Sequence, residues 1–580
     1  MLGSAALANA DRAKTPRMSG FRDGYIGYDE MQKTMRAWAD AHPQVVQLTS
    51  IGKTEEGREL LLLIIGRDRD RARPAAWVDA NMHATELCGS SVALAIAEDV
   101  IALHTGTKTV RDLPEHVCDR LRDVLFYVLP RMSPDGAESV LETGRYVRSN
   151  VRDKRHHAPV PRWILEDVDG DGLSLVMRKR DPNGDYVESK EMPGILLPRR
   201  LEDEGPFFKV YPEGRIENWD GRTIPNPFFL SDNDTDLNRN FPYGWAPDHE
   251  QVGGGRYAMS EPETRAVVEF TTARPNIFAW LNLHTFGGCH IRPLGNAPDT
   301  KMDPTDLGIY NQIEAWGDEF TGYPTVSGYH EFLYEPDKPL KGDVVDYAYH
   351  QRGILGYTTE LWDLFAQLGI KRNKPFVDHY RLVSREDLKK LAELDKTKNK
   401  SRLFVPWKKA MHPQLGEVEC GGMDIREGLS NPPREMVAEI CERHAKMFLR
   451  VAAMAPELRI EHVETKQLGG GAWRVDVAIE NRGYLPTFVL SSAKNIALDA
   501  RVFAEAEAKG CKLASDPRVE AGHLDGWGRG LYDASTSIFH ARSKGSVSRA
   551  VVSFTGEGKG VLHVTAKGVR VGSVHVSVEV

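Results

Sequence analysis

Cysteine is scarce in this 580-residue chain, which has six cysteines and no C-x-x-C pair. The six are scattered along the sequence as Cys88, Cys118, Cys289, Cys420, Cys441 and Cys511. Disulfide scaffolds and thiolate zinc sites both use closely spaced cysteines, so the pattern speaks against either.

Long apolar runs and clusters of basic residues are also missing. No stretch approaches the roughly 18 uninterrupted apolar residues of a membrane helix, so no membrane span is predicted. The net charge is −8, and no basic run resembles a phosphate-binding surface, so nucleic acid is not an expected partner. The remaining composition, 41% hydrophobic and 27% charged residues, is typical of a globular protein.

The length predicts at least two domains, because one hydrophobic core rarely organises so long a chain. After a disordered tail over residues 1–23, apolar strands such as "PAAWVDANMH", "DVLFYVLP", "NIFAWLNLH" and "GILGYTTELW" alternate with helical segments such as "SSVALAIAEDVIALH". This alternation predicts an α/β domain over residues 24–456, with a mixed, mostly parallel central sheet flanked by helices.

Two stretches lack this alternation of strands and helices, and after residue 456 the helical segments disappear. Residues 150–235 are rich in Asp, Gly, Pro and Arg and are predicted to be a long ordered insertion. Residues 371–407 are polar and rich in lysine. Beyond Pro456, short alternating segments such as "WRVDVAIENRG" and "VGSVHVSVEV" predict an all-β sandwich over residues 457–580. The sequence does not identify a partner for this sandwich.

The first residues leave the location of the protein open. "MLGSAALANADRAKTPR" ends its apolar run at Ala8-Asn9-Ala10, similar to a signal-peptidase site, but it lacks a basic n-region. Taken as it stands, the segment is the tail of a cytoplasmic protein. As a truncated signal peptide it would indicate export.

A histidine and a glutamate stand three residues apart in "NMHATEL", His83 and Glu86. At this spacing both side chains can point to one side of a first helical turn and bind one cation. Zinc accepts imidazole nitrogen and carboxylate oxygen, and a catalytic zinc needs three protein ligands. Many helices carry H-x-x-E by chance, so the pair alone decides nothing.

His284 ends the apolar strand "IFAWLNLH" and offers a third ligand at a strand tip. Together with it, the segments "SIGKTEEGREL", "NMHATE", "RMSPDG", "GRYVRS", "TDLNRNFPYGW", "LNLHTFGG" and "YTTELWDL" occur in one order. That order resembles the zinc carboxypeptidases of the carboxypeptidase A/B type, over about residues 24–455. The resemblance implies one Zn²⁺ per chain, held by His83, Glu86 and His284, with the insertion lengthening the spacing between the last two.

The resemblance also assigns the hydrolytic chemistry. Glu360 in "TTELW" matches the general base, which takes a proton from water and passes it to the leaving nitrogen. Arg148 in "GRYVRS" matches the arginine that stabilises the oxyanion. Arg145 matches a second arginine in the substrate groove, with a solvated surface arginine as the alternative.

Three residues of "TDLNRNF" match substrate and supporting roles. Asn238 and Arg239 match the pair that binds the terminal carboxylate of a peptide, for which the planar arginine fork is suited. Asp236 matches the carboxylate that accepts the N–H of the first zinc histidine and so fixes its tautomer.

The substrate-capping tyrosine and the specificity pocket are harder to place. Tyr334 is the candidate for the cap, with Tyr329 and Tyr347 as rivals. Val345, just before the pair Asp346-Tyr347, matches the floor of the pocket and predicts neutral or apolar C-terminal residues. A small shift of register would instead bring Asp343 into the pocket.

A calcium-loop pattern occurs within the insertion. Asp167, Asp169 and Asp171 followed by a glycine resemble the start of such a loop, but its twelfth position is Arg178 instead of glutamate. A polar turn is the favoured interpretation, with Ca²⁺ as the alternative.

Three hypotheses for function follow from these residues. The first is a metallocarboxypeptidase that acts on peptides with a free C-terminal carboxylate. The second is a zinc amidohydrolase or deacylase acting on a small acylated amino acid, which would use the same carboxylate-binding pair. The third is a binding protein without activity, which the presence of all three ligands and of Glu360 disfavours.

Overall fold

The computed structural model describes residues 20–149, 151–152, 160–225, 235–335, 338–380, 383–496, 498–528 and 547–580. The tail predicted for residues 1–23 therefore lies outside the described residues up to residue 19. No helix in the described part of the chain is long and apolar enough to cross a membrane.

The helices of these residues are Tyr28–Ala41 (α1), Cys88–His104 (α2), Glu115–Arg122 (α3), Pro134–Thr143 (α4), Pro262–Thr272 (α5), Pro304–Thr321 (α6), Gly328–Glu331 (α7), Val344–Asp346 (α8), Leu364–Gln367 (α9), Arg385–Lys398 (α10) and Arg434–Ala452 (α11). The strands before residue 220 are Val46–Lys53 (β1), Glu59–Ile65 (β2), Ala75–Ala80 (β3), Leu125–Leu129 (β4), Arg162–Leu165 (β5), Val176–Arg180 (β6), Tyr186–Glu188 (β7), Leu196–Pro198 (β8), Phe207–Pro212 (β9) and Gly214–Glu217 (β10). The later strands are Ile277–Thr285 (β11), Cys289–Arg292 (β12), Thr325–Ser327 (β13), Leu355–Leu361 (β14), Phe404–His412 (β15), Gly416–Met423 (β16), Leu458–Gly469 (β17), Ala472–Asn481 (β18), Val502–Lys509 (β19), Lys512–Leu513 (β20), Arg518–Gly522 (β21), Arg549–Glu557 (β22), Val561–Gly568 (β23) and Gly572–Glu579 (β24).

The central sheet carries the site described below. Within the described residues its eight strands lie in the order β1-β2-β4-β3-β11-β14-β12-β13. β3 runs parallel to β4 and β11, and β11 runs parallel to β14, whereas β1, β2 and β12 introduce antiparallel pairs. β3 and β11 are buried at every position, as the middle strands of a sheet covered by helices must be. The predicted mixed, mostly parallel sheet is confirmed.

The insertion contributes strands to a second, antiparallel sheet. β6, β7, β8 and β9 join β15 and β16 in an antiparallel sheet, in the order β15-β16-β6-β9-β7-β8, and β5 pairs with β10. The buried side chains of Trp163, Met177, Ile216, Val418 and Cys420 form a common cluster. The strands of the insertion are three to six residues long, which is too short for sequence periodicity to indicate them.

The C-terminal region is all-β, as predicted. Two antiparallel sheets, β17-β18-β22-β20 and β21-β19-β23-β24, share one apolar cluster. Burial alternates along β22 and β23, which is typical of strands with one face on a core. α11 ends at Ala452 and β17 begins at Leu458; the predicted division after residue 456 stays a prediction.

Candidate metal centre

The carboxyl ends of three neighbouring parallel strands bring the predicted site together. His83 follows the end of β3, and His284 lies one residue before the end of β11. Glu360 of β14 stands directly opposite His284 in the parallel register. Since parallel strands end at one edge of the sheet, residues far apart in sequence meet there.

The short segment that carries His83 and Glu86 is a turn, and the prediction of a first helical turn was wrong. α2 begins only at Cys88. The Asn81 side-chain amide donates hydrogen bonds to the carbonyls of His83 (2.9 Å), Ala84 (3.0 Å) and Glu86 (3.2 Å) and so shapes the turn. In this turn the side chains of His83 and Glu86 still lie on one side, with Nδ1 of His83 2.8 Å from the Glu86 carboxylate.

The three proposed ligands converge. Nδ1 of His83 lies 2.8 Å from Oε1 of Glu86, and Nδ1 of His284 lies 2.9 Å from Oε2 of Glu86. The two Nδ1 atoms are 2.9 Å apart. All three residues are at least nine-tenths buried.

The hydrogen bond at Nε2 of each histidine determines which tautomer the ring adopts. Nε2 of His83 lies 3.0 Å from the carboxylate of Asp236, which can only accept, and Nε2 of His284 contacts the Asn282 side-chain oxygen. Both Nε2 atoms are therefore donors, and both Nδ1 atoms direct lone pairs at the same point beside a carboxylate. Such an arrangement repels itself unless a cation lies between, so the residues fit a zinc ion.

A second layer of buried polar groups orients His284. The Asn282 amide donates to Asp79, and Asp79 also accepts from the indoles of Trp77 (2.8 Å) and Trp280 (3.0 Å). With its amide nitrogen bound to Asp79, Asn282 must present its oxygen to the ring of His284. Burial raises the pKa of Asp79, and the bonds from these donors oppose the rise.

Arg148 and Asp236 form a charged pair at the edge of the centre. Nε and one terminal nitrogen of Arg148 lie 3.1 and 3.0 Å from Oδ2 of Asp236. The other terminal nitrogen is 3.5 Å from Oε1 of Glu86. Asp236 thus contacts His83 through one oxygen and Arg148 through the other, which lowers the pKa of this carboxyl well below its ordinary value despite its burial.

One cavity joins most of the predicted site residues. Its walls include His83, Arg148, Asn238, Arg239, His284, Tyr334, Val345 and Glu360. Burial raises the pKa of Glu360 to about 8, and the Glu86 carboxylate contributes to the rise.

Tyr334 is 45% exposed at the cavity, whereas its rival Tyr347 is buried in the apolar core. Arg145 is half-buried and lies outside this wall.

The part of the cavity predicted to be the specificity pocket contains one apolar and one acidic residue. Val345 is buried, and the nearby Asp343 accepts the N–H groups of Val345 (3.0 Å) and Asp346 (2.9 Å) with Oδ1. Among the described residues Oδ2 of Asp343 has no hydrogen-bond partner, although it is buried. Burial raises the pKa of Asp343.

Several residues of the site were not predicted. Asp79 and Asn282 supply the second layer, and Thr358 and Arg292 line the cavity. A signal for the first two existed: each is a polar residue within an otherwise apolar buried strand, and Asn282 lies two positions before His284 on the same strand face.

Two family models and several known proteins match parts of this chain. The sequence model of the zinc carboxypeptidases matches residues 31–366, and that of a domain of unknown function, DUF8731, matches residues 457–579. Carboxypeptidase A6 of Homo sapiens is 28% identical over 20% of this chain and 26% of its own length. A zinc carboxypeptidase of Saccharothrix mutabilis subsp. capreolus is 28% identical over 22% of this chain and 29% of its own length. The matched part thus spans about a quarter to a third of these relatives. Among solved structures, thrombin activatable fibrinolysis inhibitor has a TM-score of 0.43 at 15% identity, covering 76% of this chain and 79% of that one.

Proposed function

The chain belongs to the zinc carboxypeptidase family, and on that premise we propose that it is a metallocarboxypeptidase that hydrolyses the C-terminal peptide bond of peptides. The observation that carries the proposal is the convergence of Nδ1 of His83, Nδ1 of His284 and the Glu86 carboxylate at one point beside Glu360. Zinc bound by these three residues would supply Lewis acidity, polarising a carbonyl and lowering the pKa of water.

Glu360 is the proposed general base. It must be ionised to accept a proton, and its raised pKa makes it a competent donor to the leaving nitrogen afterwards. A metal cation beside it favours the ionised form, so the working pKa lies below about 8.

Arg148 is proposed to stabilise the developing oxyanion. Its guanidinium is held on one side by Asp236 and remains part of the cavity wall. A charge fixed in advance by such a pair needs little reorganisation as the oxyanion forms.

Asn238 and Arg239 are the proposed binding site for the terminal carboxylate. Arg239 is 8% exposed, and its described hydrogen bond runs to the backbone carbonyl of Asn238 at 2.7 Å. Among the described residues no carboxylate oxygen lies within 4.0 Å of its guanidinium. A buried guanidinium that makes no direct ion pair with the described residues suits an anionic substrate group. Arg145 and Tyr334 keep their proposed roles in the outer groove and as the cap.

Val345 supports a preference for neutral or apolar C-terminal residues, since an apolar wall offers nothing to a charged side chain. Asp343 favours a second candidate preference, for a basic residue, because its buried Oδ2 could accept from a cationic side chain. The same cavity would also bind a small acylated amino acid, so an amidohydrolase that acts on such compounds is the alternative to a peptidase.

Metal analysis combined with two variants tests the proposal. The purified chain should contain one zinc and should release the last residue from N-blocked dipeptides and longer peptides. Glu360→Gln should keep zinc near one per chain and reduce kcat by at least about 100-fold, because it removes the base but no ligand. His284→Ala should lose zinc and activity together. Zinc at full occupancy in the His284 variant would contradict the ligand assignment, and turnover of acylated amino acids without turnover of peptides would favour the amidohydrolase.

A further inference from the structure

We propose that the insertion contains a calcium site formed by Asp167, Asp169 and Glu213. The two aspartates lie in the turn between β5 and β6, and Glu213 is the single residue between β9 and β10. One carboxylate oxygen from each of the three lies within 4.8 Å of the others. The site is separate from the zinc centre, and the proposal does not depend on the catalytic function.

Glu213 is fixed in position by the turn that it faces. Its two oxygens accept the N–H groups of Val168 and Leu175, each at 2.9 Å. The residue is 2% exposed. Burial raises the pKa of Glu213, and the neighbouring Asp169 carboxylate contributes to the rise. A cation between the carboxylates would favour the ionised form of a glutamate buried beside another acid.

Asp169 provides the observation that points to a ligand. Its side chain is 2% exposed, and among the described residues its buried Oδ2 has no hydrogen-bond donor. Lys408 lies 3.4 Å from this oxygen, but the ammonium group donates its hydrogen bond to the Asp169 backbone carbonyl at 3.0 Å. Lys408 is also 54% exposed, and in the described part of the chain it is the one basic side chain in ion-pair contact with these three acids. One exposed lysine against three carboxylates leaves an excess of negative charge.

Glu213 provides the acidic ligand that is missing from the sequence of the loop. A calcium loop of the D-x-D-x-D-G type needs an acid at its twelfth position, where this chain has Arg178. Arg178 lies in β6 and pairs with Glu188 and Glu419. The tertiary fold thus supplies from a distant corner the carboxylate that the local sequence lacks. Asp167 accepts the N–H groups of Gly170 and Gly172 at 2.7 and 2.8 Å, and the expected third aspartate, Asp171, lies outside the group of three acids.

Calcium fits this donor set better than the other common cations. The three ligands are carboxylates, without imidazole or thiolate, which selects a hard cation. Calcium tolerates irregular coordination by six to eight oxygens, whereas magnesium demands a near-ideal octahedron. With few acidic ligands and partial exposure, the expected Kd is about 10⁻⁴ M. Bound calcium would join the β5–β6 turn to the β9–β10 corner.

Calorimetric titration of the zinc-loaded full chain with CaCl₂ tests the proposal. Wild type should bind one calcium per chain, and its Tm should rise with calcium concentration. Asp169→Asn and Glu213→Gln should each weaken binding by at least about tenfold, because each removes one ligand charge. Asp220→Asn is the matched control: Asp220 belongs to the same insertion, and its hydrogen bonds with described residues are to Arg222 and Thr223 in its own turn. It should bind as wild type does.

The outcomes are distinct. No saturable calcium binding by wild type, equal binding by Asp169→Asn and wild type, or tighter binding of MgCl₂ than of CaCl₂ would each overturn the proposal. If Glu213→Gln does not fold, Asp167→Asn, at an exposed position, replaces it and should show the same loss. Zinc content measured in every variant separates these effects from loss of the catalytic metal.

Discussion

Replacing Asp236 with asparagine removes one negative charge from the edge of the zinc centre and barely changes the volume. In the native chain both Asp236 oxygens accept: one from Nε2 of His83 at 3.0 Å and from the backbone N–H of Asn238 at 2.8 Å, the other from Arg148 at 3.0 and 3.1 Å. Asparagine has one accepting oxygen. If that oxygen faces Arg148, its amide N–H₂ points at the N–H of His83, donor against donor.

His83 can relieve this conflict only by moving its proton to Nδ1. In that tautomer Nδ1 has no lone pair to offer the metal. Zinc binding is therefore weakened by the free energy needed to return the proton to Nε2. Loss of such a supporting carboxylate typically reduces metal affinity about 10- to 100-fold, or about 1.4–2.7 kcal/mol. If the amide instead faces Arg148, the oxyanion-binding arginine loses its anchor, and kcat falls even at saturating zinc.

Competition with a zinc chelator measures the first effect, and kcat/KM at saturating zinc measures the second. Asp99→Asn is the matched control, because Asp99 also holds an arginine through two hydrogen bonds, to Arg111 at 2.6 and 3.0 Å, away from the site. It should change stability without changing zinc affinity. An Asp236→Asn variant with zinc affinity within twofold of wild type and unchanged kcat/KM would refute the reasoning.

Three further predictions concern the same cavity. First, burial raises the pKa of Glu360 from 4.5 to about 8, and only the ionised form accepts a proton, so kcat/KM should fall as the pH falls, with an apparent pKa between these values. A profile that stays flat down to pH 4 with zinc still bound would contradict this. Second, Asn282→Ala removes the acceptor of the His284 ring N–H and should weaken zinc binding about 10- to 100-fold in the chelator assay; unchanged affinity would show that the ring is held otherwise. Third, peptides ending in Phe or Leu should have higher kcat/KM than matched peptides ending in Arg or Glu; a preference for Arg that Asp343→Asn abolishes would assign specificity to Asp343 instead of Val345.

The zinc ligands could be predicted because their chemistry restricts the residue types. A histidine and a glutamate placed after one apolar strand, and a histidine at the tip of another, have few other uses. The strands themselves could be predicted because β3, β11 and β14 are apolar runs of ordinary length. The local conformation was not predictable in the same way: spacing of three fits both a helical turn and the actual turn, which the side chain of Asn81 determines through three carbonyls.

For most buried polar residues the sequence did not show which residue of a distant segment would be the hydrogen-bond partner. Asp236 reaches His83 across 153 positions, and only the family motif indicated it. Asp79 and Asn282 had no motif; their pairing follows from the register of β3 against β11, in which they stand opposite each other. Glu213 lies more than 40 positions after Asp167, beyond four strands that periodicity could not indicate. For Asp79, Asn282 and Glu213 the residue type was visible and the neighbour was not, because the fold decides which groups compensate the hydrogen bonds and charge of a buried residue. A buried acid or amide in an apolar or glycine-rich segment therefore predicts that a partner exists, and the partner's identity has to come from strand register and loop contacts.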